Sequence, residues 1–261
     1  ALHSYLIEAA HFESQGKQHD AQLRLTSLTD TAGNRNGELV PFALFELARL
    51  SEQLGQLQEA NRRIEQLVMD PAAAGHDLIF AARLKQGDLF RKLNQFPQAQ
   101  QAYEYLVNTY PQRPDVVYAQ LALAECHNAQ SSSDPAHVEI AQSKFGELRD
   151  RVDAPLDVRV EAGYNLGALL ARRGKPDEAA KVWWRDVVGA FLIDDNRTIE
   201  PEAKRRYWLA RTLLSLGELL EQQGKLEEAK DAYKVLREKR LGYGEDLAKA
   251  GLQRLGVSVA P

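Results

Sequence analysis

The chain has 261 residues, of which 44% are hydrophobic and 27% are charged, and its formal net charge is only −4. This composition supplies enough apolar side chains for a large core and excludes a chain that is disordered through excess charge. Because Lys and Arg are interspersed with Asp and Glu, we predict no nucleic-acid partner, since phosphate binding needs a clustered positive field. The longest apolar runs, such as residues 187–193, are shorter than the roughly 18 residues that cross a bilayer, so we predict no transmembrane segment.

The start of the chain and its cysteine content bear on the compartment. The first residue is Ala1 rather than Met and no signal-peptide pattern follows it, so we expect a processed chain or a fragment of a longer protein. The single cysteine, Cys126, excludes an internal disulfide and a cysteine metal cluster, and it leaves the compartment open. We expect Cys126 to be a small buried residue of the core.

A pattern of helix, break and helix recurs along the chain. It is seen in LSEQLGQLQEANRRI at residues 50–64, in LFRKLNQFPQAQQAY at 89–103, in LARRGKPDEAAKVWW at 170–184 and in LLEQQGKLEEAKDAY at 219–233. An alanine follows each break, a large apolar residue stands four positions later, and a third apolar residue follows three positions after that, except at Asp186. This i, i+4, i+7 spacing defines one face of an α-helix. The alanines are Ala21, Ala60, Ala99, Ala141, Ala179 and Ala229, and the large residues are Leu25, Ile64, Tyr103, Phe145, Trp183 and Tyr233.

The residues before each alanine predict how the two helices meet. Five positions earlier stands a residue suited to the left-handed backbone conformation that ends a helix. Seven positions before that break, the first helix carries a second small residue. Where two antiparallel helices cross closely, a small side chain on one makes room for a bulky side chain on the other, so we predict that each unit is a helical hairpin. The break residues are Gly16, Gly55, Asn94, Gly174 and Gly224, and the small residues are Ala9, Ala48, Gly87, Gly167 and Gly217.

We predict a single domain, residues 1–261, of six hairpins and one terminal helix. The fourth hairpin lacks the tight turn, because the polar sequence SSSDPAH replaces it at residues 131–137. In the sixth, Pro201 predicts the start of a lengthened first helix that ends at Gln223. The hairpins span about residues 2–35, 39–72, 77–112, 114–152, 155–192 and 199–240. A capping helix follows at 243–256, with Leu247, Ala250, Gly251, Leu252 and Leu255 along one side and charges elsewhere.

Two segments carry a family resemblance. YNLGALLARRGKPDEAAKVW at residues 164–183 and LLSLGELLEQQGKLEEAKDAY at 213–233 resemble tetratricopeptide repeats (TPRs), and the resemblance extends over about residues 2–240. It implies an all-α fold, an α-solenoid in the form of a right-handed superhelix. These units are longer than the family's usual period of about 34 residues, as in envelope-associated bacterial members, and they are similar to the repeat lipoproteins of outer-membrane assembly. This similarity implies a bacterial protein of the periplasm or cell envelope, with the cytoplasm as the alternative.

The resemblance also implies a function. TPR proteins bind partners in a concave groove lined by the first helix of each unit, so we expect a non-catalytic scaffold for a peptide or protein partner. The alternative is a structural or regulatory domain of a larger cell-envelope complex or multidomain enzyme. The outward positions of the first helices, carried over as groove residues, are Phe42, Phe45, Glu46, Arg49, Lys85, Asp88, Arg91, Lys92, Glu125, Asn128, Tyr164, Asn165, Arg172, Arg211, Glu218 and Glu221.

The charged residues of this set have two interpretations. In one, basic and amide side chains bind the carboxylates and the backbone of an extended peptide. In the other, they only solvate an exposed helical face. Asp88 and Glu125 interrupt the Lys, Arg and Asn pattern with which members of the family clamp acidic carboxyl termini. The proposed carboxylate ligands are Arg49, Lys85, Arg91 and Arg172, and the proposed backbone ligands are Asn128 and Asn165.

We predict no catalytic residue, no cofactor and no metal. The chain contains no GxSxG, GxxxxGK[ST] or GxGxxG motif. Its six histidines form no i, i+3 or i, i+4 pair of the kind that holds a metal. Cys126 and His127 are neighbours on a helix and therefore point about 100° apart, which is unsuitable for a thiolate and its base.

The tryptophan pair invites a ligand-binding interpretation. Trp183 occupies the packing position of its repeat, so we assign it to the core. Trp184 does not, and we expect it to form an exposed contact with Phe191 and Trp208, beside the insertion that precedes the sixth hairpin. That contact would be a second interface.

Overall fold

A computed structural model of the protein describes residues 2–30, 37, 39–132, 134–194 and 202–258. Within these ranges the regular structure is entirely helical, which confirms the all-α prediction. The chain divides into two compact units, Ala1–Gln130 and Ser131–Pro261, here called the first and the second unit.

In its described residues, the first unit contains three helical hairpins, the four-residue helix α5 and one further helix. α1 pairs with α2, α3 with α4 and α6 with α7, and each hairpin packs on the next. α8 packs against α7. The helices are α1 (Leu2–Ser14), α2 (Gln18–Asp30), α3 (Val40–Gln53), α4 (Leu57–Val68), α5 (Pro71–Ala74), α6 (His76–Lys92), α7 (Phe96–Thr109) and α8 (Val116–Gln130).

The second unit contains two hairpins between single helices. α9 packs on α10, which pairs with α11 and its π-helical continuation π1; α12 pairs with α13, and α14 covers α13. The predicted capping helix is therefore present. The helices are α9 (Ala136–Asp150), α10 (Leu156–Arg172), α11 (Pro176–Lys181), π1 (Val182–Ile193), α12 (Ala203–Gln222), α13 (Leu226–Glu238) and α14 (Glu245–Arg254).

Two features of the predicted organisation need comment. The two helices of the predicted fourth hairpin, α8 and α9, fall in different compact units. The single domain therefore stays a prediction. The lengthened helix of the sixth hairpin is present as α12, which has 20 residues, whereas its predicted start at Pro201 lies outside the described residues.

The repeated small and large residues form the core. All six repeat alanines are fully buried, and the large residues that follow them four positions later are buried as well. The predicted break residues adopt the left-handed conformation, with φ of 73° at Gly16 and 58° at Asn94. These observations confirm the alignment of the repeats.

The glycines of the first helices leave space for aromatic rings. A Cβ atom at Gly87 would lie closer than 3.0 Å to the ring of Tyr103, and one at Gly217 would lie equally close to Tyr233. Real Cβ atoms essentially never approach another atom so closely. Only glycine therefore allows the two helices of these hairpins to cross at their observed separation.

The π-helix explains the exception at Asp186. In a π-helix, a backbone amide donates to the carbonyl five residues earlier, as the amide of Asp194 does to the carbonyl of Gly189 at 2.8 Å. Each turn therefore holds more residues than an α-helical turn, and the next core position after Trp183 moves from 186 to 187. Val187 is fully buried there, while Asp186 accepts a hydrogen bond from Arg149 at 3.1 Å.

The predicted buried face of the capping helix is wrong at one position. Leu247 is 56% exposed, whereas Ala248, Gly251 and Leu252 are buried. The ring of Tyr233 lies against Gly251, where a Cβ atom would come within 2.6 Å of it. This contact sets the rotation of α14, and Leu247 stands one residue outside the resulting i, i+3, i+4 stripe.

Two glycine-to-alanine substitutions in the second unit test the packing. We expect Gly217→Ala to lower the free energy of unfolding by about 1–3 kcal/mol, because the new methyl group overlaps the ring of Tyr233. Gly146→Ala in α9 is the matched control, since its Cβ would meet nothing within 4 Å. This variant should gain about 0.5–1 kcal/mol from helix propensity. Denaturant unfolding measures both changes, and equal effects of the two substitutions would contradict the packing.

Candidate functional site

Within each compact unit, the first helices of the repeats carry the predicted groove residues, and we call the surface that they form the first-helix face of that unit. In the first unit it is formed by α1, α3, α6 and α8, and in the second unit by α10 and α12. The residues predicted to line a groove lie on these helices.

Arg49 is held by carboxylates of its own unit. Its Nη1 and Nη2 atoms donate to the two carboxylate oxygens of Glu13, both at 2.6 Å, and its Nε donates to Glu46 at 2.7 Å. The hydrogen bond from Arg49 holds the pKa of Glu13 below its usual value, against the opposing effect of burial. This bidentate pair joins α1 to α3, and its geometry is that of the stronger ion pairs.

Glu52 binds both of the lysines that were predicted to line the groove. Its carboxylate accepts a hydrogen bond from Lys85 at 2.8 Å and another from Lys92 at 2.6 Å, so that α3 is joined to α6. Burial of Glu52 favours its neutral form, but these two bonds outweigh burial and lower its pKa. Sequence reasoning missed Glu52, although it stands one helical turn after Arg49.

The next predicted residues form a partly buried network. Arg91 pairs with Glu125 of α8 at 2.5 Å, and Asp88 accepts a hydrogen bond from the hydroxyl of Tyr103 at 2.6 Å. Burial raises the pKa of the Tyr103 hydroxyl. Burial also raises the pKa of the Cys126 thiol to about 12, so this cysteine is protonated at neutral pH. Cys126 is fully buried, as predicted, and is not a nucleophile.

The cations of the first unit therefore join neighbouring repeats. Arg49, Lys85, Lys92 and Arg91 each have a carboxylate partner on the first-helix face. A ligand carboxylate would have to displace that partner.

Three further predicted residues of the first unit differ in exposure. Phe45 is partly buried and packs against the core of its hairpin. Phe42 is 52% exposed, and Asn128 is partly buried and makes contacts of its own. Phe42 is thus the solvent-exposed apolar residue among these three.

In the second unit an arginine lies among aromatic rings. Nε of Arg211 donates to the hydroxyl of Tyr164 at 2.9 Å, and Nη1 donates to the hydroxyl of Tyr207 at 2.7 Å. The guanidinium carbon lies 5.2 Å from the ring centroid of Tyr164 and 5.5 Å from that of Trp208, within the range of cation–π attraction. We call these four residues, with Tyr243, the Arg211 cluster.

The rings of the Arg211 cluster hold one another in place. The centroids of Tyr164 and Trp208 are 5.0 Å apart, and those of Tyr207 and Tyr243 are 4.8 Å apart. Tyr164 is buried, whereas Tyr243 is 39% exposed. The cluster is thus a packed site with one open side. Tyr207 and Tyr243 were missed in the sequence because neither occupies a repeat position.

Arg211 differs from the arginines of the first unit in its partners. Among the residues that the structure describes, no carboxylate lies within ion-pair distance of Arg211. Its partners are neutral hydroxyl groups and rings, so its positive charge is not compensated there. A guanidinium has five N–H donors, and Arg211 uses two of them, which leaves three for a ligand.

The other predicted groove residues of the second unit differ in exposure and in partners. Asn165 is partly buried with contacts of its own, Arg172 and Glu218 are exposed, and Glu221 accepts hydrogen bonds from Tyr233 at 2.5 Å and Arg254 at 3.0 Å. Their use by a partner stays a prediction.

The two adjacent tryptophans have different environments. Trp183 is buried and donates from its ring nitrogen to the carbonyl of Tyr164 at 3.0 Å, which confirms its place in the core. Trp184 is 39% exposed, but the predicted contact with Phe191 is wrong because Phe191 is buried under Arg159. Trp184 instead lines a pocket of about 470 Å³ between α11 and α13. We call it the second-helix pocket.

Other kinds of site were sought among the described residues. In that part of the chain, no three His, Cys, Asp or Glu residues are grouped to hold a metal ion. No described helix is long and apolar enough to cross a membrane. The Arg211 cluster and the second-helix pocket are the arrangements that offer a ligand specific chemistry.

Sequence comparison identifies the repeats directly. Two family profiles, both described as "Tetratricopeptide repeat", match residues 84–143 and 211–240. The first match covers α7 and α8 whole, and the second begins at Arg211 and covers α13. No curated protein matches the sequence.

Solved structures of TPR proteins share the fold. TPR-like repeats of a candidate kinesin light chain from Podosopora anserina are 20% identical, with 76% of this chain and 93% of that chain covered and a TM-score of 0.56. MamA from Desulfovibrio magneticus RS-1 is 16% identical, with 75% and 97% covered and a TM-score of 0.58. BtubC from P. vanneervenii is 15% identical, with 100% and 94% covered and a TM-score of 0.59. The predicted α-solenoid fold is thereby confirmed.

The ion pair of Glu13 predicts a pH-dependent stability. The pKa of Glu13 lies below the 4.5 of the free side chain, so its ionised form stabilises the fold above pH 4.5 and loses this effect as the pH falls through the lowered value. We expect Glu13→Gln to cost about 0.5–1 kcal/mol at pH 7, and this difference from the parent should vanish in acid. Unfolding titrations at several pH values measure it.

Glu8→Gln is the control for this measurement. Glu8 pairs with Arg24 at 2.8 Å, but both side chains are more than 40% exposed. Its removal should change stability by less than Glu13→Gln does. A loss at Glu13 that persists at low pH would contradict the role given to its charge.

Proposed function

Because the chain is a tetratricopeptide-repeat protein, we propose that it is a non-catalytic scaffold that binds a peptide segment of a partner on the first-helix face of its second unit. The observation that carries this proposal is the uncompensated charge of Arg211 within its aromatic cluster. The peptide would present a carboxylate to Arg211 and an apolar or aromatic side chain to the neighbouring rings.

The preorganisation of Arg211 supports this function. Two tyrosine hydroxyls and a tryptophan ring already hold the guanidinium, so that ligand binding costs little further conformational entropy of this side chain. Hydrogen bonds between charged groups are about twice as strong as neutral ones. Arg, Tyr and Trp are also the residue types in which binding energy at protein interfaces is concentrated.

The ion pairs of the first unit support the same choice. A ligand carboxylate at Arg49 would replace a bidentate bond to Glu13, so that the exchange leaves one carboxylate without its partner. At Arg211 the described residues offer no carboxylate to displace. The first helices of the second unit are therefore the better site for an acidic ligand.

The compartment remains a proposal. We propose the bacterial periplasm or cell envelope, with the cytoplasm as the alternative, on the resemblance of the long repeats alone.

Selection of displayed peptides on the whole protein tests the binding site. We expect the selected peptides to share an Asp, a Glu or a terminal carboxylate, because Arg211 supplies the charge that recognises it. Arg211→Gln should weaken their binding about tenfold or more, measured by fluorescence polarisation, since such a charge-assisted contact contributes about 1.5–3 kcal/mol.

Arg173→Gln is the matched control in the same unit. Arg173 is an exposed arginine that pairs with Glu139 at 2.9 Å, and its substitution should leave the affinity unchanged. If no peptide is selected, or if Arg211→Gln binds as tightly as the parent, the proposed site is wrong. Peptides that instead lose affinity with Lys85→Glu and Arg91→Glu would place the site in the first unit.

A further inference from the structure

The second-helix pocket and the Arg211 cluster both involve α12 but share no residue. Its floor is formed by Leu216 and Leu220 of α12, and Ala180 and Trp184 form one wall. The two leucines are almost fully buried, whereas Trp184 is exposed on one side. The volume of about 470 Å³ falls within the range of about 300–1,000 Å³ that is usual for ligand pockets.

Hydrogen bonds close one end of this pocket. Asp177, near the start of α11, accepts from Lys225 at 2.6 Å and from Gln223 at 2.9 Å. These bonds join α11 to the turn between α12 and α13. α11 and α13 both begin at this hydrogen-bonded end and extend from it along the apolar floor. They therefore form the two edges of the pocket, roughly parallel to each other.

Beyond the ion pair of Asp177 with Lys225, the two edges carry opposite charges. Lys181 lies on the α11 edge and has no carboxylate partner among the described residues. On the α13 edge, Glu228 is exposed and Asp231 has only a long contact of 3.5 Å to Lys234. An apolar strip is therefore bordered by positive charge on one side and negative charge on the other.

We propose that the second-helix pocket binds an amphipathic helix of a partner protein. The helix inserts bulky apolar side chains between Trp184 and the two leucines, with acidic residues toward Lys181 and basic residues toward Glu228 and Asp231. Parallel helical edges over an apolar floor are suited to a helix that lies in a groove. Two copies of this chain cannot fill each other's pocket by placing pocket against pocket, because both surfaces are concave.

This site is independent of the proposed function. None of its lining residues belongs to the Arg211 cluster, and it is formed by the second helices and the opposite side of α12. A protein with both sites would hold two partners at once.

A designed helical peptide tests the proposal. The probe has about 16 residues, with leucines at i, i+4 and i+7, glutamates along one flank and lysines along the other. In ¹⁵N-labelled protein, we expect saturable amide shifts confined to residues 177–184 and 216–231. A second peptide with lysines on both flanks should bind several-fold more weakly, because one of its flanks meets Lys181.

Variants of the protein make the test decisive. Trp184→Ala should weaken binding of the first peptide about tenfold. Lys181→Glu should also weaken binding of the first peptide, and the protein should no longer prefer this peptide to the all-lysine peptide. The double variant Lys181→Glu with Glu228→Lys should restore the affinity for the first peptide. Lys17→Glu applies the same charge change in the first unit and should have no effect.

Three outcomes would overturn the proposal. They are the absence of saturable shifts, unchanged affinity in Trp184→Ala, and shifts at Tyr164, Tyr207 and Arg211 in place of the pocket. The last outcome would place the peptide on the first-helix face and would leave the proposed function intact.

Discussion

The close crossing of two helices at a glycine or alanine is the constraint on which this structure depends. In three hairpins the first helix carries glycine where the second carries an aromatic ring, at Gly87, Gly167 and Gly217, and a Cβ atom at any of these would overlap the ring. Each ring fills the space between its helices and leaves the polar faces of both to solvent. Because this packing buries the facing sides of each hairpin, the charged surfaces of the repeats are available for other contacts.

Those surfaces divide between stabilisation and recognition. In the first unit, the ion pairs of Glu13 with Arg49 and of Glu52 with Lys85 join consecutive first helices. In the second unit, Tyr164 and Trp208 take the place of carboxylates around Arg211, and the guanidinium keeps donors for a ligand. Similar residues on equivalent helices thus have different roles, and the difference lies in their neighbours and not in their own chemistry.

The sequence predicted the fold better than the site, and the reason is physical. Small and large residues recur at helical spacing because each repeat has the same packing problem, so one chain reveals the rule. The ion pair of Arg49 with Glu13 and the hydrogen bond of Arg211 to Tyr164 each join residues more than 30 positions apart, and the repeat pattern does not predict such pairings. The π-helix after Lys181 and the rotation of α14 were missed for the same reason, since both follow from contacts with other helices. Sequence periodicity therefore locates the faces of the helices but does not decide which charges are already paired.

A double-mutant cycle between Gly87 and Tyr103 tests the packing constraint most directly. The free energy of unfolding is measured for the parent, Gly87→Ala, Tyr103→Leu and the double variant. If a Cβ atom at position 87 would occupy the space of the Tyr103 ring, Gly87→Ala should destabilise the protein only while that ring is present. The double variant should then be more stable than the sum of the single effects predicts, by about 0.5–3 kcal/mol. Strict additivity of the two substitutions would contradict the account.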